Sequence, residues 1–166
     1  MYPVWSPDGS LLAYYKSYQG PAIIPLIRTD AKSQPFRQIP EFNEDGAAFV
    51  PSSWSSDGRN LAGYRHYEDG TRAGIVNYSF DSQEFHRITE IGRNPVWLSD
   101  DRRLLFFGQN DAKLYLVDTH TKRTKVLYES SHTIHFPTIS PDNQHIYASV
   151  WNQEADIWML TLNEEQ

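Results

Sequence analysis

Apolar and polar positions alternate along this chain in short runs with a period of two, and no stretch carries the spacing of an amphipathic helix. Period two sends successive side chains to opposite faces of an extended strand. The clearest runs are LLAYY at 11–15, NLAGYR at 60–65, RLLFF at 103–107 and HIYASV at 145–150. Each is followed by a second run: AIIPLI at 22–27, AGIVNY at 73–78, KLYLVD at 113–118 and DIWMLTL at 156–162. A shorter, more polar run closes three of these units, PFRQI at 35–39, EFHRIT at 84–89 and TKVLY at 124–128. The pattern predicts an all-β chain.

Each unit opens on a related turn. It reads PVWSPDG at 3–9, SSWSSDG at 52–58, PVWLSDD at 95–101 and PTISPDN at 137–143. The aligned aspartates Asp8, Asp57, Asp100 and Asp142 are spaced by 49, 43 and 42 residues. A period in the forties with several strands per unit is the signature of a propeller blade. The turn chemistry fits: Pro presets φ, Asp suits the next position, and Gly accepts the left-handed conformation that follows. Four residues after each Asp comes Leu12, Leu61, Leu104 or Ile146, one apolar side chain in the same register of every unit. Blades are expected at 1–45, 46–92, 93–131 and 132–166, each of about four antiparallel strands. The last lacks its fourth strand. Trp5, Asp8, Gly9, Trp54, Asp57, Gly58, Trp97, Asp100 and Asp142 are read as structural: the aspartates cap their own turns and the tryptophans pack blades together.

Composition sharpens the picture at a few points. Aromatic residues make up 14% of the 166, as suits pleated strands. The net charge of −6 lacks the clustered Lys and Arg of a nucleic-acid footprint, so no nucleic-acid partner is expected. Without cysteine there are no disulfides and no thiolate metal ligands. The first residues, MYPVWSPDGS, have neither the basic nor the apolar region of a signal peptide, and no apolar run is long enough for a membrane span. Met1 directly against the first turn reads as a fragment boundary. Four blades with an unpaired edge are read as a partial propeller, the C-terminal part of a larger one, open to self-association through its blade edges.

The Trp-Ser-Pro-Asp-Gly turn before an apolar strand resembles the TolB-like propeller repeat, over nearly the whole chain. Blades one and two match best. Blade three has Leu98, Ser99 and Asp101 for Ser, Pro and Gly, and blade four has Ile139 for Trp and Asn143 for Gly. The stretches NPVWLSDDRRLLFFGQNDAKLYLVDTHTKR and TISPDNQHIYASVWNQEADIWMLTL further resemble the C-terminal propeller blades of bacterial serine/threonine protein kinases. That resemblance implies a regulatory sensor or protein-interaction module, and favours a periplasmic or extracytoplasmic place. Related propellers also precede prolyl-oligopeptidase-like hydrolase domains, where they gate access, or act as free-standing periplasmic binding proteins. Both readings stay open.

The chain itself holds no catalytic constellation. It has no Gly-rich loop, His-Arg-Asp loop or Asp-Phe-Gly site, and Tyr64-Arg65-His66-Tyr67 lacks the acidic residue a kinase loop needs. There is no Gly-x-Ser-x-Gly elbow, His-Glu-x-x-His pair or EF-hand. No enzymatic activity, cofactor or metal is expected. Binding, if present, is expected on the loops at the end of the disc opposite the Asp-Gly turns. The candidates there are His66, Tyr67, Glu68, Asp69, Asn110, Asp111, Trp151, Asn152 and Glu154, with His132 and His135 from the blade connections. Three imidazoles with a carboxylate have the chemistry to hold zinc, but they come from different blades, and exposed loop histidines are the ordinary account. A solvated face without a ligand is equally open. The ligand or partner, protein or small molecule, is not identified by these residues.

Overall fold

A computed structural model describes residues 3–16, 20–25, 37–42, 46–108, 112–151 and 156–161. It is all β. The first sheet is β1 (Val4–Trp5), β2 (Leu11–Lys16), β3 (Gly20–Pro25) and β4 (Arg37–Gln38). The second is β5 (Ala48–Trp54), β6 (Asn60–His66), β7 (Arg72–Ser79) and β8 (Glu84–Arg87). The third is β9 (Arg93–Trp97), β10 (Arg103–Phe107), β11 (Lys113–Asp118) and β12 (Thr124–Glu129). The fourth is β13 (Thr133–Ile139), β14 (His145–Trp151) and β15 (Asp156–Thr161). In every sheet the strands lie in sequence order and pair antiparallel. The four-blade reading of the repeat matches this architecture.

The first strands of successive sheets lie side by side, β1 near β5, β5 near β9 and β9 near β13. They line the inside of the arc, and the fourth strands lie outside, where β12 is almost wholly exposed. Each of β5, β9 and β13 carries a bulge where it pairs with the next strand. Pro51, Pro95 and Pro137 sit at these irregularities. Proline has no amide proton to give the ladder, so the pairing must shift around it.

Simple alternation fails in the middle of the blades. Leu61 through Arg65 in β6 are all buried, as are Leu104 through Phe107 in β10. The reason is that interior blades are covered on both faces, so neither face has to be polar. One apolar cluster joins Ala13, Ile39 and Phe42 of blade one to Trp54, Leu61 and Val76 of blade two. A second joins Val50, Ala62, Tyr64 and Ile75 of blade two to Trp97, Leu104 and Phe106 of blade three. A third joins Leu98, Leu105 and Phe107 to Ile134 and Ile146 of blade four. Each fully buried Phe or Leu contributes about 2 kcal/mol relative to exposure, so these seams hold the blades in order.

The clusters show which way each register points. Trp54 and Leu61 face the preceding blade, while Ala62 and Tyr64 face the following one. The Trp54 indole N–H donates to the Val4 carbonyl at 3.2 Å, and its ring stacks on Phe80. Trp5 differs from the packing role expected of it: it is 59% exposed, against 9% for Trp54 and 7% for Trp97. Among the described residues no sheet covers the side of blade one that Trp5 faces.

The turns are built alike. Ser6 Oγ accepts the Leu11 amide at 2.9 Å and donates to Asp8 Oδ1 at 2.6 Å, and Asp8 also accepts the Ser10 amide. Ser55 and Asp57 repeat this arrangement with the amides of Asn60 and Arg59, and Ser140 and Asp142 with those of His145 and Gln144. Blade three has Leu98 in place of the serine. Asp100 there takes the amides of Arg102 and Arg103 and the Arg103 guanidinium.

Neighbouring turns also touch. Ser56 donates its amide and its hydroxyl to the Asp101 carboxylate. The Ser99 amide donates to Asn143 Oδ1 at 3.1 Å, and the Asn143 amide group donates to Ser99 Oγ. Asp101 and Asn143 hold the left-handed position that Gly9 and Gly58 hold in the first two turns, at φ of 51° and 60°. Between blades one and two the same places are taken by Pro7 and Gly58. A Cβ on Gly58 would lie 3.8 Å from Pro7 Cγ, in ordinary contact.

Candidate functional site

Strand register decides which loops share an end. Ala48 pairs with His66, Arg93 with Phe107 and Thr133 with Trp151. In blades two to four the start of the first strand therefore lies beside the end of the second. The blade connections and the loops between second and third strands share one rim, opposite the Asp-containing turns.

At the blade-two rim, His66 is the last residue of β6 and not a loop residue. The hairpin beyond it closes on itself: the Tyr67 amide donates to the Thr71 carbonyl, the Gly70 amide to the Tyr67 carbonyl, and the Thr71 amide to Asp69 Oδ1 at 2.7 Å. The Thr71 amide and hydroxyl hold the Asp69 carboxyl below its usual range, with a smaller contribution from His66. Asp69 thus serves its own turn. Glu68 is exposed and Tyr67 half-buried. Nδ1 of His66 is buried without a hydrogen-bond partner among the described residues.

At the blade-four rim, His132 is exposed, its amide donating to Ser130 Oγ and its Nδ1 lying 2.9 Å from Ser131 Oγ. His135, expected in the connection, lies inside β13, where its carbonyl accepts the Ser149 hydroxyl at 3.3 Å. A strand position is the reason it is half-buried and not a free loop ligand. Blade three separates these two histidines from His66. Among the described residues, no group of three His, Cys, Asp or Glu side chains gathers to hold a metal ion. Asn110, Asp111, Asn152 and Glu154 lie outside the described residues, and of Trp151 only the backbone is described.

The most constrained polar group at this rim is Arg65, which the motif reading passed over. Its side chain is buried, its Nε donates to the Ala73 carbonyl at 2.8 Å, and Nη2 reaches Glu90 Oε2 at 2.9 Å. Glu90 is exposed and also contacts Arg87 at 3.3 Å. The guanidinium fits because Gly74, at φ of 83°, has no side chain: a Cβ there would stand 2.5 Å from Nη2 and 2.6 Å from the Thr89 carbonyl. Arg65 ties the second and third strands of blade two to the connection that leads into blade three. A single arginine ending an apolar run, with glycine on the next strand, was the available signal.

No helix among the described residues is long and apolar enough to cross a membrane. No protein-family model and no curated protein matches the chain. Solved structures do. The structure assigned to TolB from Agrobacterium tumefaciens superposes with a TM-score of 0.76 at 16% identity, over 95% of this chain and 60% of that one. TolB from Acinetobacter baumannii gives 0.77 at 20% identity, over 99% of this chain and 41% of that one. An oligogalacturonate lyase from Vibrio parahaemolyticus gives 0.69 at 16% identity, over 98% of this chain and 49% of that one. The chain spans 41–60% of the length of these proteins. The likeness establishes the fold, a run of TolB-like propeller blades.

Proposed function

We propose that this chain is a non-catalytic binding module, a sensor or protein-interaction propeller that serves as the regulatory C-terminal region of a bacterial serine/threonine kinase. The observation that supports the non-catalytic part is where the turn aspartates spend their oxygens. Asp8, Asp57, Asp69, Asp100, Asp118 and Asp142 each accept backbone amides of their own turn. What these groups do is brace turns, and a rigid scaffold presenting polar loops is suited to recognition. The rim with Tyr67, Glu68 and His132 is the surface to which we assign binding.

The kinase assignment draws support from the resemblance of residues 94–123 and 138–162 to the blades of such kinases. The reading frame upstream of Met1 in the source genome tests it. A frame encoding a Gly-rich loop, His-Arg-Asp and Asp-Phe-Gly is the expected result. A stop codon directly upstream overturns it. The likeness to the two TolB structures favours a second reading, a TolB-like binding protein without a kinase. For that reading the upstream frame holds a secretory signal peptide and no kinase.

A further inference from the structure

Residues that recur in every blade serve the fold, so a charged group that is buried in one blade alone stands out. Eight residues after the turn aspartate the chain has Lys16, Arg65, Gly108 and Val150. Only blade two places a guanidinium there, and Val150 shows that the position accepts an apolar side chain. Arg65 is 4% exposed and is the one charged residue buried among those described. Burying a charge costs stability unless its donors and its charge are both answered.

The donors of Arg65 are answered in part. A guanidinium has five N–H groups. Nε donates to the Ala73 carbonyl at 2.8 Å, and Nη2 donates to Glu90 Oε2 at 2.9 Å and to the Glu90 carbonyl at 3.4 Å. The two N–H groups of Nη1 meet no acceptor among the described residues, and Nη1 is not sealed from solvent. The carboxylate on Arg65 is loosely placed. The Glu90 side chain is 69% exposed and also contacts Arg87 at 3.3 Å. It covers Nη2 from outside and can swing away without opening the core. The guanidinium, by contrast, is firmly seated. Gly74 forms its cradle at φ of 83°, where a Cβ would stand 2.5 Å from Nη2 and 2.9 Å from Nε. The fold thus keeps a left-handed glycine to seat an arginine that still has donors to give.

We infer that Arg65 is an anion-recognition site at the rim of blade two, and that the class of ligand it takes is the carboxylate. The N–H groups of Nη1, joined by Nη2 when Glu90 moves aside, hold the two oxygens in the planar, two-pronged manner of guanidinium and carboxylate. One guanidinium charge matches one carboxylate, and Glu90 acts as an intramolecular competitor for the place. The inference rests on the reading of this rim as the binding surface and adds what it binds. An acidic side chain of a partner protein and a small organic acid offer the same group.

Proton–nitrogen correlation NMR of the whole chain tests the site. The reporters are the Arg65 Nε–H, held by Ala73, and the amides of Gly74 and Glu90. Sodium acetate, sodium chloride and sodium phosphate are titrated at constant ionic strength, because exposed charges are screened by salt. A tetraglutamate peptide with blocked ends is titrated beside them. Saturable shifts with acetate and with the peptide are expected. Tighter binding of the peptide than its number of carboxylates explains assigns the ligand to an acidic polypeptide, and equal affinity per carboxylate assigns it to a small acid. Glu90→Gln removes the competitor and its like charge, and should tighten acetate binding by about 5-fold. An ion pair with a purely structural role gives no such gain. Arg65→Met fills the cradle with an apolar chain and should abolish the acetate shifts, with circular dichroism to show that it folds. If it does not fold, Glu90→Gln decides alone. Shifts that never saturate, that chloride reproduces or that Glu90→Gln leaves unchanged overturn the inference, as does tighter binding of phosphate than of acetate. Those outcomes leave the regulatory reading standing, since the upstream reading frame tests it separately.

Discussion

Ser56 in the second turn and Asp101 in the third are joined twice, backbone amide to Oδ1 and hydroxyl to Oδ2, the latter at 2.7 Å. Asp101 makes these bonds from a left-handed backbone that an ordinary side chain resists. Replacing it therefore separates two effects. Asp101→Ala loses both bonds and keeps the unfavourable φ. Asp101→Gly loses the same bonds but relieves the backbone, by about 1 kcal/mol. Urea denaturation should rank alanine as the less stable variant, and equal midpoints would refute the role assigned to the left-handed position.

Arg65 and Gly74 form a second test. Arg65→Ala removes the bonds to Ala73 and Glu90 from a buried site, and a loss of about 3 kcal/mol is expected. Glu90→Gln costs less, about 1 kcal/mol, because Glu90 is exposed and water screens its charge. Gly74→Ala drives a methyl group into the guanidinium and the Thr89 carbonyl, and should destabilise as much as Arg65→Ala. Thermal unfolding of the three variants checks the order.

The tryptophans divide by neighbour and not by motif. Trp54→Ala empties a packed seam and is expected to cost about 3–5 kcal/mol. Trp5→Ala should change stability by less than about 0.5 kcal/mol. Chemical denaturation of both variants distinguishes them.

Acid should loosen the turns together. The hydroxyls of Ser6 and Ser10 and the Ser10 amide lower Asp8 to about 2. At Asp57 and Asp100 burial opposes the charge but is outweighed, by the Ser55 hydroxyl and Arg59 amide in one case and by Arg103 in the other. The Ser140 hydroxyl and Gln144 amide lower Asp142. A carboxyl depressed by folding stabilises the native state fully above its unfolded value, and that contribution fades as pH falls through its folded value. For Asp8 the window runs from 3.8 down to about 2. Urea midpoints should hold between pH 7 and 5 and fall below pH 4. Asp8→Asn should lower the midpoint at pH 7 and flatten the acid limb.

The turn aspartates, the strand order and the blade count were legible because each is a local signal repeated four times. Repetition also marked Asp8, Asp57, Asp100 and Asp142 as turn residues, and each accepts a backbone amide of its own turn. What was not legible depended on neighbours. Period two could not show that Leu61–Arg65 and Leu104–Phe107 are buried on both faces, since that follows from blades stacked on either side. Trp5 carries the same motif as Trp54, and only the uncovered face tells them apart. His66 and His135 looked like loop residues because strand ends are set by pairing with Ala48 and Ser149, partners distant in sequence. The link between Ser56 and Asp101 spans 45 residues and appears only when the turns are brought side by side.

The pairing of turns makes the units order-dependent. Blade three ends its turn motif in Asp101, which answers Ser56 of blade two, and blade two ends its own in Gly58, which lies beside Pro7 of blade one. Exchange blades two and three, and Asp101 would follow a proline that has no proton to give it, while Ser99 would precede a glycine with no side chain to answer. The turn residues thus carry information about blade order: the shuffled array, with identical composition, would have one serine latch, Ser56 against Asn143, where the native order has two.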